Sequence, residues 1–152
     1  MRFFEPDKEL LKSLVEYANG RVIIDIGCGD CDVLIALKEL GAKVLGFEPF
    51  LFPENNEKVK NAGIMVIEDY VQRHNPIISG IKEKGLLLFA RSCHSNFVEQ
   101  CLDMKDKSTE ALYITIPENL ILYNDLGYHE YKAFKKELKG SSRDNEVIYS
   151  IR

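Results

Sequence analysis

The chain has 152 residues, with 20 Lys and Arg against 24 Asp and Glu, so its formal charge is −4. Hydrophobic residues make up 45% and charged residues 29%, with ten Gly and five Pro, which excludes a disordered tail, a collagen-like rod and a disulfide scaffold. The longest apolar runs, Val33 to Leu37 and Leu86 to Ala90, are five residues each, far short of the ~18 that a membrane span needs. The opening Met1-Arg2-Phe3-Phe4-Glu5-Pro6 has no signal-peptide pattern, so the four Cys are expected to stay thiols in a soluble, cytoplasmic protein. The length fits one domain over residues 1–152, and there are no repeats or linkers.

In chain order, Pro6 to Gly20 reads as an amphipathic helix, with Leu10, Leu11, Leu14, Val15 and Ala18 at three- and four-residue spacing. Val22-Ile23-Ile24-Asp25-Ile26 is a β-branched buried strand, followed by a Gly-containing turn and a helix marked by Val33, Ala36, Leu37 and Leu40. Lys43 to Phe47 predicts a second strand, Pro53 to Ala62 a helix, and Ile64 to Ile67 a third strand. Pro76 interrupts any helix between Tyr70 and Gly80. Leu86 to Phe89, opened by Gly85, is the most apolar strand, and Phe97, Val98, Cys101 and Leu102 form a helical stripe after it. Ala111 to Ile116 is a fifth strand. Tyr128 to Leu138 and Val147 to Ile151, joined by a polar turn through Gly140-Ser141-Ser142-Arg143, read as an antiparallel edge hairpin. Strands alternating with helices mean a mostly parallel sheet covered on both faces, an α/β/α sandwich.

The chemistry concentrates in Asp25-Ile26-Gly27-Cys28-Gly29-Asp30-Cys31, between a strand and a helix. Gly27 and Gly29 allow the sharp bend and let a ligand approach the main chain. Glu48 follows Gly27 by 21 residues, at the end of the second strand, where its carboxylate can accept both hydroxyls of a ribose. A dinucleotide site expects a glycine or alanine at position 32, where this chain has Asp32, and Asp30 and Asp32 repel a pyrophosphate. Asp25 suits the ammonium of an amino-acid tail. An adenosine ribose joined to such a tail describes S-adenosylmethionine.

On these residues the sequence resembles the class I S-adenosylmethionine-dependent methyltransferases over nearly its whole length. Val22 to Gly29 is similar to that family's first motif, with Asp25, Gly27, Cys28 and Gly29 toward the cofactor, although Cys31 stands where the family usually has a third glycine. Gly46-Phe47-Glu48-Pro49, with Phe50, resembles the second motif, and Ile67-Glu68-Asp69-Tyr70 lies where the family often reads the adenine amino group. Asp69 is the preferred acid of that pair. The resemblance implies a seven-stranded sheet in the order 3-2-1-4-5-7-6 with strand seven antiparallel.

After the fourth strand comes Ala90-Arg91-Ser92-Cys93-His94-Ser95, without the Pro-Pro pattern of nitrogen methylases. Arg91 offers a cation for a substrate carboxylate or phosphate, and His94 a base near neutral pH; the plain reading of both is a polar loop capping the next helix at Ser95 or Asn96. Cys28, Cys31, Cys93 and His94 have the residue types of a zinc site, but ligation would distort the turn, so no metal is expected. Residues 127–152 carry six Lys or Arg and four Asp or Glu, which favours a lysine-protected edge strand over a nucleic-acid surface. The expected activity is methyl transfer to an unidentified acceptor, alone, as a homo-oligomer or beside a partner. The alternative is a non-catalytic relative that acts as a partner subunit.

Overall fold

The computed structural model describes residues 3–70, 85–91, 101–103, 109–116 and 133–151. In chain order these form α1 (Lys8–Ala18), β1 (Val22–Ile26), α2 (Asp32–Glu39), β2 (Val44–Phe47), α3 (Pro53–Asn61), β3 (Val66–Ile67), β4 (Gly85–Ala90), β5 (Glu110–Thr115), β6 (Ala133–Lys135) and β7 (Val147–Ile151). The strands make one sheet in the order β3-β2-β1-β4-β5-β7-β6. The first five pair in parallel, and β7 runs antiparallel between β5 and β6. This is the topology that the family resemblance implied.

Side-chain alternation along the strands builds a core on each face. Ile23 of β1 packs with Leu86, Leu88, Leu112 and Ile114 beneath Leu10 and Leu14 of α1 and Leu37 of α2. Ile24 and Ile26 face the other way, with Leu87, Phe89 and Tyr113, under the helical residues Cys101 and Leu102. A third cluster joins α2 to α3 through Leu34, Val59 and Ile64, and takes in Cys28 and Cys31 from the glycine turn. Buried on both faces, the central strands carry near-continuous apolar runs, which is why they were the easiest to read.

Several boundaries shift by a residue or two from the sequence reading, and three shifts matter most. Helix α1 starts at Lys8 instead of Pro6, because Asp7 caps it by accepting from the Leu10 N–H at 2.8 Å. Strand β3 is two residues instead of four: the Ile64 N–H closes the end of α3 by donating to the Val59 carbonyl at 2.9 Å, and the ladder begins after it. The described part of β6 ends at Lys135 and leaves Leu138 outside the ladder. The stretch 71–84, the helical stripe from Phe97 to Val98, Ser95 and Asn96, and the start of β6 at Tyr128 lie outside the described residues.

Candidate cofactor site

The glycine turn is fastened to the end of β2. The Gly27 and Cys28 N–H groups both donate to the Phe47 carbonyl, at 2.8 and 3.1 Å. Gly27 (φ 80°) and Gly29 (φ 57°) take the left-handed backbone this bend requires. The fastening brings Glu48 under the turn, where its Oε1 accepts from the Gly29 N–H at 2.9 Å and its Oε2 from the Phe50 N–H at 3.2 Å. Each carboxylate oxygen has two lone pairs, so one on each remains to accept from a pair of neighbouring hydroxyls. Glu48 and the glycine turn are thus in direct contact.

Asp25 sits in β1 opposite Gly46 on one side and Leu88 on the other, and is 4% exposed. Its Oδ1 has no hydrogen-bond partner among the described residues. Burial, then the nearby Glu48 and Asp30 carboxylates, push its pKa up to about 7. A buried, unpaired acid beside two others is short of a cation. Asp30 also has a structural task, since its Oδ1 accepts from the Asp32 N–H at 3.1 Å at the start of α2. Asp32 is exposed and pairs with Lys58 at 2.6 Å, a surface contact of small energetic weight.

Cys31, at the position where the resemblance implied a third glycine, takes a left-handed backbone at φ 68°. For a residue with a side chain this costs about 1–2 kcal/mol. Its thiol is fully buried in the α2–α3 cluster, 3.4 Å from the Cys28 Sγ, so it points into the core and not over the turn. The contact with Cys31, together with burial, raises the Cys28 thiol well above the usual range, so it is held neutral and poorly suited to metal ligation or thiolate chemistry. Among the described residues no three His, Cys, Asp or Glu are grouped to hold a metal.

Beyond β2 and β3 the site has an aromatic flank. Phe50 (70% exposed) meets Tyr70 edge-on, with ring centroids 6.1 Å apart. Asp69 is half-buried and its Oδ1 accepts from the Tyr70 N–H at 2.8 Å, whereas Glu68 is exposed and Pro49 half-buried in the turn after Glu48. One neighbour escaped the sequence reading. The Phe3 ring lies on Gly29, where a Cβ would come within 2.4 Å of its Cε1. The Phe3-Phe4 doublet was the available signal; Phe4 is a core residue, and Phe3 is left over the turn.

On the other side of Asp25, Arg91 follows β4. Its backbone is left-handed (φ 55°), its N–H donates to the Ile114 carbonyl at 2.9 Å, and its Nη1 is buried without a partner among the described residues. His94 lies outside the described residues. Asp25, Gly27, Gly29 and Glu48 are thus brought together, Phe50, Asp69 and Tyr70 flank them, and Arg91 stands across β4.

No protein-family model matches the sequence, and no curated protein matches it. Solved structures do share the fold. Precorrin-6y C5,15-methyltransferase from Geobacter metallireducens is 12% identical, with 98% of this chain and 93% of that chain covered and a TM-score of 0.60. The 1,6-didemethyltoxoflavin-N1-methyltransferase of Burkholderia thailandensis, solved with S-adenosylhomocysteine bound, is 11% identical over 93% of this chain and 76% of that one, at TM-score 0.60. Precorrin 8w decarboxylase from Methanobacterium thermoautotrophicum is 17% identical over 97% and 92%, at TM-score 0.54. At these identities the likeness establishes the fold: this chain has the Rossmann-like architecture of class I methyltransferases. No helix among the described residues is long and apolar enough to cross a membrane.

Proposed function

We propose that the chain is an S-adenosylmethionine-dependent methyltransferase. The observation that carries this is the Glu48 carboxylate, oriented by the Gly29 and Phe50 N–H groups, beside the buried Asp25, whose Oδ1 has no partner among the described residues. Glu48 accepts the two ribose hydroxyls on its free lone pairs. Asp25, once ionised, pairs with the ammonium of the amino-acid tail. Gly27 lets that tail lie against the main chain, the face of Gly29 being covered by the Phe3 ring, while Phe50 and Tyr70 supply an apolar wall for the adenine and Asp69 an acceptor for its amino group. Three carboxylates suit a ligand with cationic groups and repel a pyrophosphate, which sets the nicotinamide reading aside.

When bound, the cofactor supplies a methyl group on a positively charged sulfur with a neutral leaving group. What the chain must add is alignment, because holding donor and acceptor in line accounts for much of the rate of such a displacement. The acceptor then sits beyond the carboxyl end of β4, by Arg91, with His94 the base where the attacking atom must lose a proton. The methyltransferases among the similar structures support methyl transfer but name different acceptors. The unbridged Cys28 and Cys31 agree with a cytoplasmic setting.

Titration calorimetry with S-adenosylhomocysteine and, separately, NADH tests this. Micromolar binding of the first only, weakened about 10- to 100-fold in Glu48→Ala, is the expected result, since two hydrogen bonds to a charged group are lost. Absence of binding at about 1 mM overturns the reading. Binding without methyl transfer to any acceptor favours the partner-subunit alternative.

A further inference from the structure

Arg91 carries two unfavourable features in one residue. Its backbone occupies the left-handed region without being glycine, and its guanidinium Nη1 is buried with no acceptor among the described residues. A strained backbone and an unsatisfied buried donor persist only where the surroundings impose them, and they gather at sites that bind something. The strain has a visible cause: the Arg91 N–H is tied to the Ile114 carbonyl, which continues the β4–β5 ladder one step past Ala90 and turns the chain sharply there. The side chain therefore leaves from a fixed point at the carboxyl edge of the sheet.

The position relative to the acids is as informative. Asp25 and Glu48 lie on β1 and just past β2, and Asp69 just past β3. Arg91 is on the far side of Asp25 from Glu48, just past β4, the strand bonded to β5. Asp25 lies on β1 and Arg91 just past β4, which are neighbours, yet neither satisfies the other: among the described residues Asp25 Oδ1 and Arg91 Nη1 both lack partners. At the carboxyl end of the sheet a buried carboxylate oxygen on β1 and a buried guanidinium nitrogen just past β4 thus lie on neighbouring strands, each without a partner among the described residues. Guanidinium is a planar fork matched to carboxylate and phosphate, and it keeps its charge at any relevant pH.

We propose that Arg91 recognises an anionic group, carboxylate or phosphate, on the methyl acceptor. This rests on the methyltransferase reading, because the acceptor is located by the cofactor residues on β1 to β3. The acceptor class is then an acid whose methyl-accepting atom lies within a few bonds of its anionic group. Neutral and cationic acceptors leave Arg91 unpaired and are selected against.

The test uses the full chain saturated with S-adenosylhomocysteine, titrated with inorganic phosphate and, in a second arm, with acetate, by calorimetry. Wild type is expected to bind one of the two saturably in the millimolar range, with about fivefold or greater weakening in Arg91→Gln and an intermediate loss in Arg91→Lys, which keeps the charge without the fork. The arm that saturates tells phosphate from carboxylate. Both variants are first shown to melt cooperatively and to bind S-adenosylhomocysteine as wild type does. Equal anion binding in wild type and Arg91→Gln, or no saturation in either arm, overturns the proposal. So does a loss of about tenfold or more in S-adenosylhomocysteine affinity in Arg91→Gln, since the anion would then be the cofactor's own carboxylate. Failure of wild type to bind S-adenosylhomocysteine removes the methyltransferase reading and this proposal together, and is distinguished from the other outcomes by that first titration.

Discussion

Asp25 is where the fold gives up stability at the proposed cofactor site. Its pKa moves from 3.8 to about 7, chiefly through burial and then through Glu48 and Asp30. A carboxyl whose pKa is raised by folding makes the folded state hold its proton longer than the unfolded state, so stability falls as pH rises from about 4 to about 7, and the full cost applies above that. By linkage the cost reaches up to about 4 kcal/mol. Asp25→Asn is therefore expected to raise the melting temperature of the cofactor-free protein, by roughly 5 °C or more at about pH 8 and by little at about pH 4. On the proposed function, the same substitution should abolish any stabilisation by added S-adenosylmethionine. Thermal melts of both proteins at the two pH values check this, and a variant less stable than wild type at about pH 8 would refute it. Wild-type affinity for S-adenosylhomocysteine should rise from about pH 6 to about pH 8, as Asp25 ionises to meet the ammonium.

At the scale of elements, β2 and the glycine turn act as one unit. Phe47 holds the turn from its carbonyl, Glu48 holds it from its side chain, and Gly46 makes room for it. A methyl group at Gly46 would lie 2.6 Å from Leu34 Cδ1, 2.9 Å from Cys28 Sγ and 3.1 Å from Val66 Cγ2. Gly46→Ala is thus expected to cost about 1–3 kcal/mol by overpacking, to lower the melting temperature by roughly 3–10 °C, and to weaken S-adenosylhomocysteine binding by pushing Cys28 within the turn. A melting temperature within about 1 °C of wild type would show that the cluster yields freely. Much of this unit was legible in the sequence, because a β-branched run, two glycines two apart and an acid at a strand end are local signals. The reason for Gly46 was not, since it depends on α2 and β3 converging from elsewhere. The reach of Phe3 to Gly29, the inward turn of the Cys31 thiol and the shortness of β3 were hidden for the same reason: each is decided by tertiary neighbours, not by spacing along the chain.

For the molecule as a whole, the strand order was readable from the resemblance, but what clamps the far end of the sheet was not. Glu110, at the start of β5, accepts from the Tyr17 hydroxyl of α1 and from Ser150 Oγ of β7 at 2.9 Å, and pairs with Arg21 at 3.0 Å and Lys136 at 3.9 Å. Arg21 and Lys136 also flank the Tyr17 ring, 5.4 and 5.6 Å from its centroid. Burial alone would raise the Glu110 pKa; the hydrogen bonds from Tyr17, Ser150 and Arg21 outweigh it and hold the group below 4.5. A depressed carboxyl contributes stability that is present above its unfolded value and lost as pH falls through the folded one, so the clamp fails in acid below about pH 4.5. Tyr17 is pushed up to about 12, by burial first and Glu110 second, and its contribution is lost as pH rises from about 10 through that value. Glu110→Gln should cost roughly 1–3 kcal/mol near neutral pH and flatten the acid limb of the stability profile, as read by denaturant unfolding across pH. An acid limb identical to wild type would exclude the clamp.

The reversed direction of β7 has a practical consequence. Because Ile151 pairs with Ala111 at the start of β5, the backbone leaves the last strand at the end of the sheet opposite Asp25, Glu48 and Arg91. A fluorophore, an affinity handle or a surface tether attached behind that strand therefore stands at the end of the sheet away from the proposed cofactor site. Immobilising the protein there leaves the carboxyl end of the parallel strands, with Asp25 and Glu48, on the side away from the support.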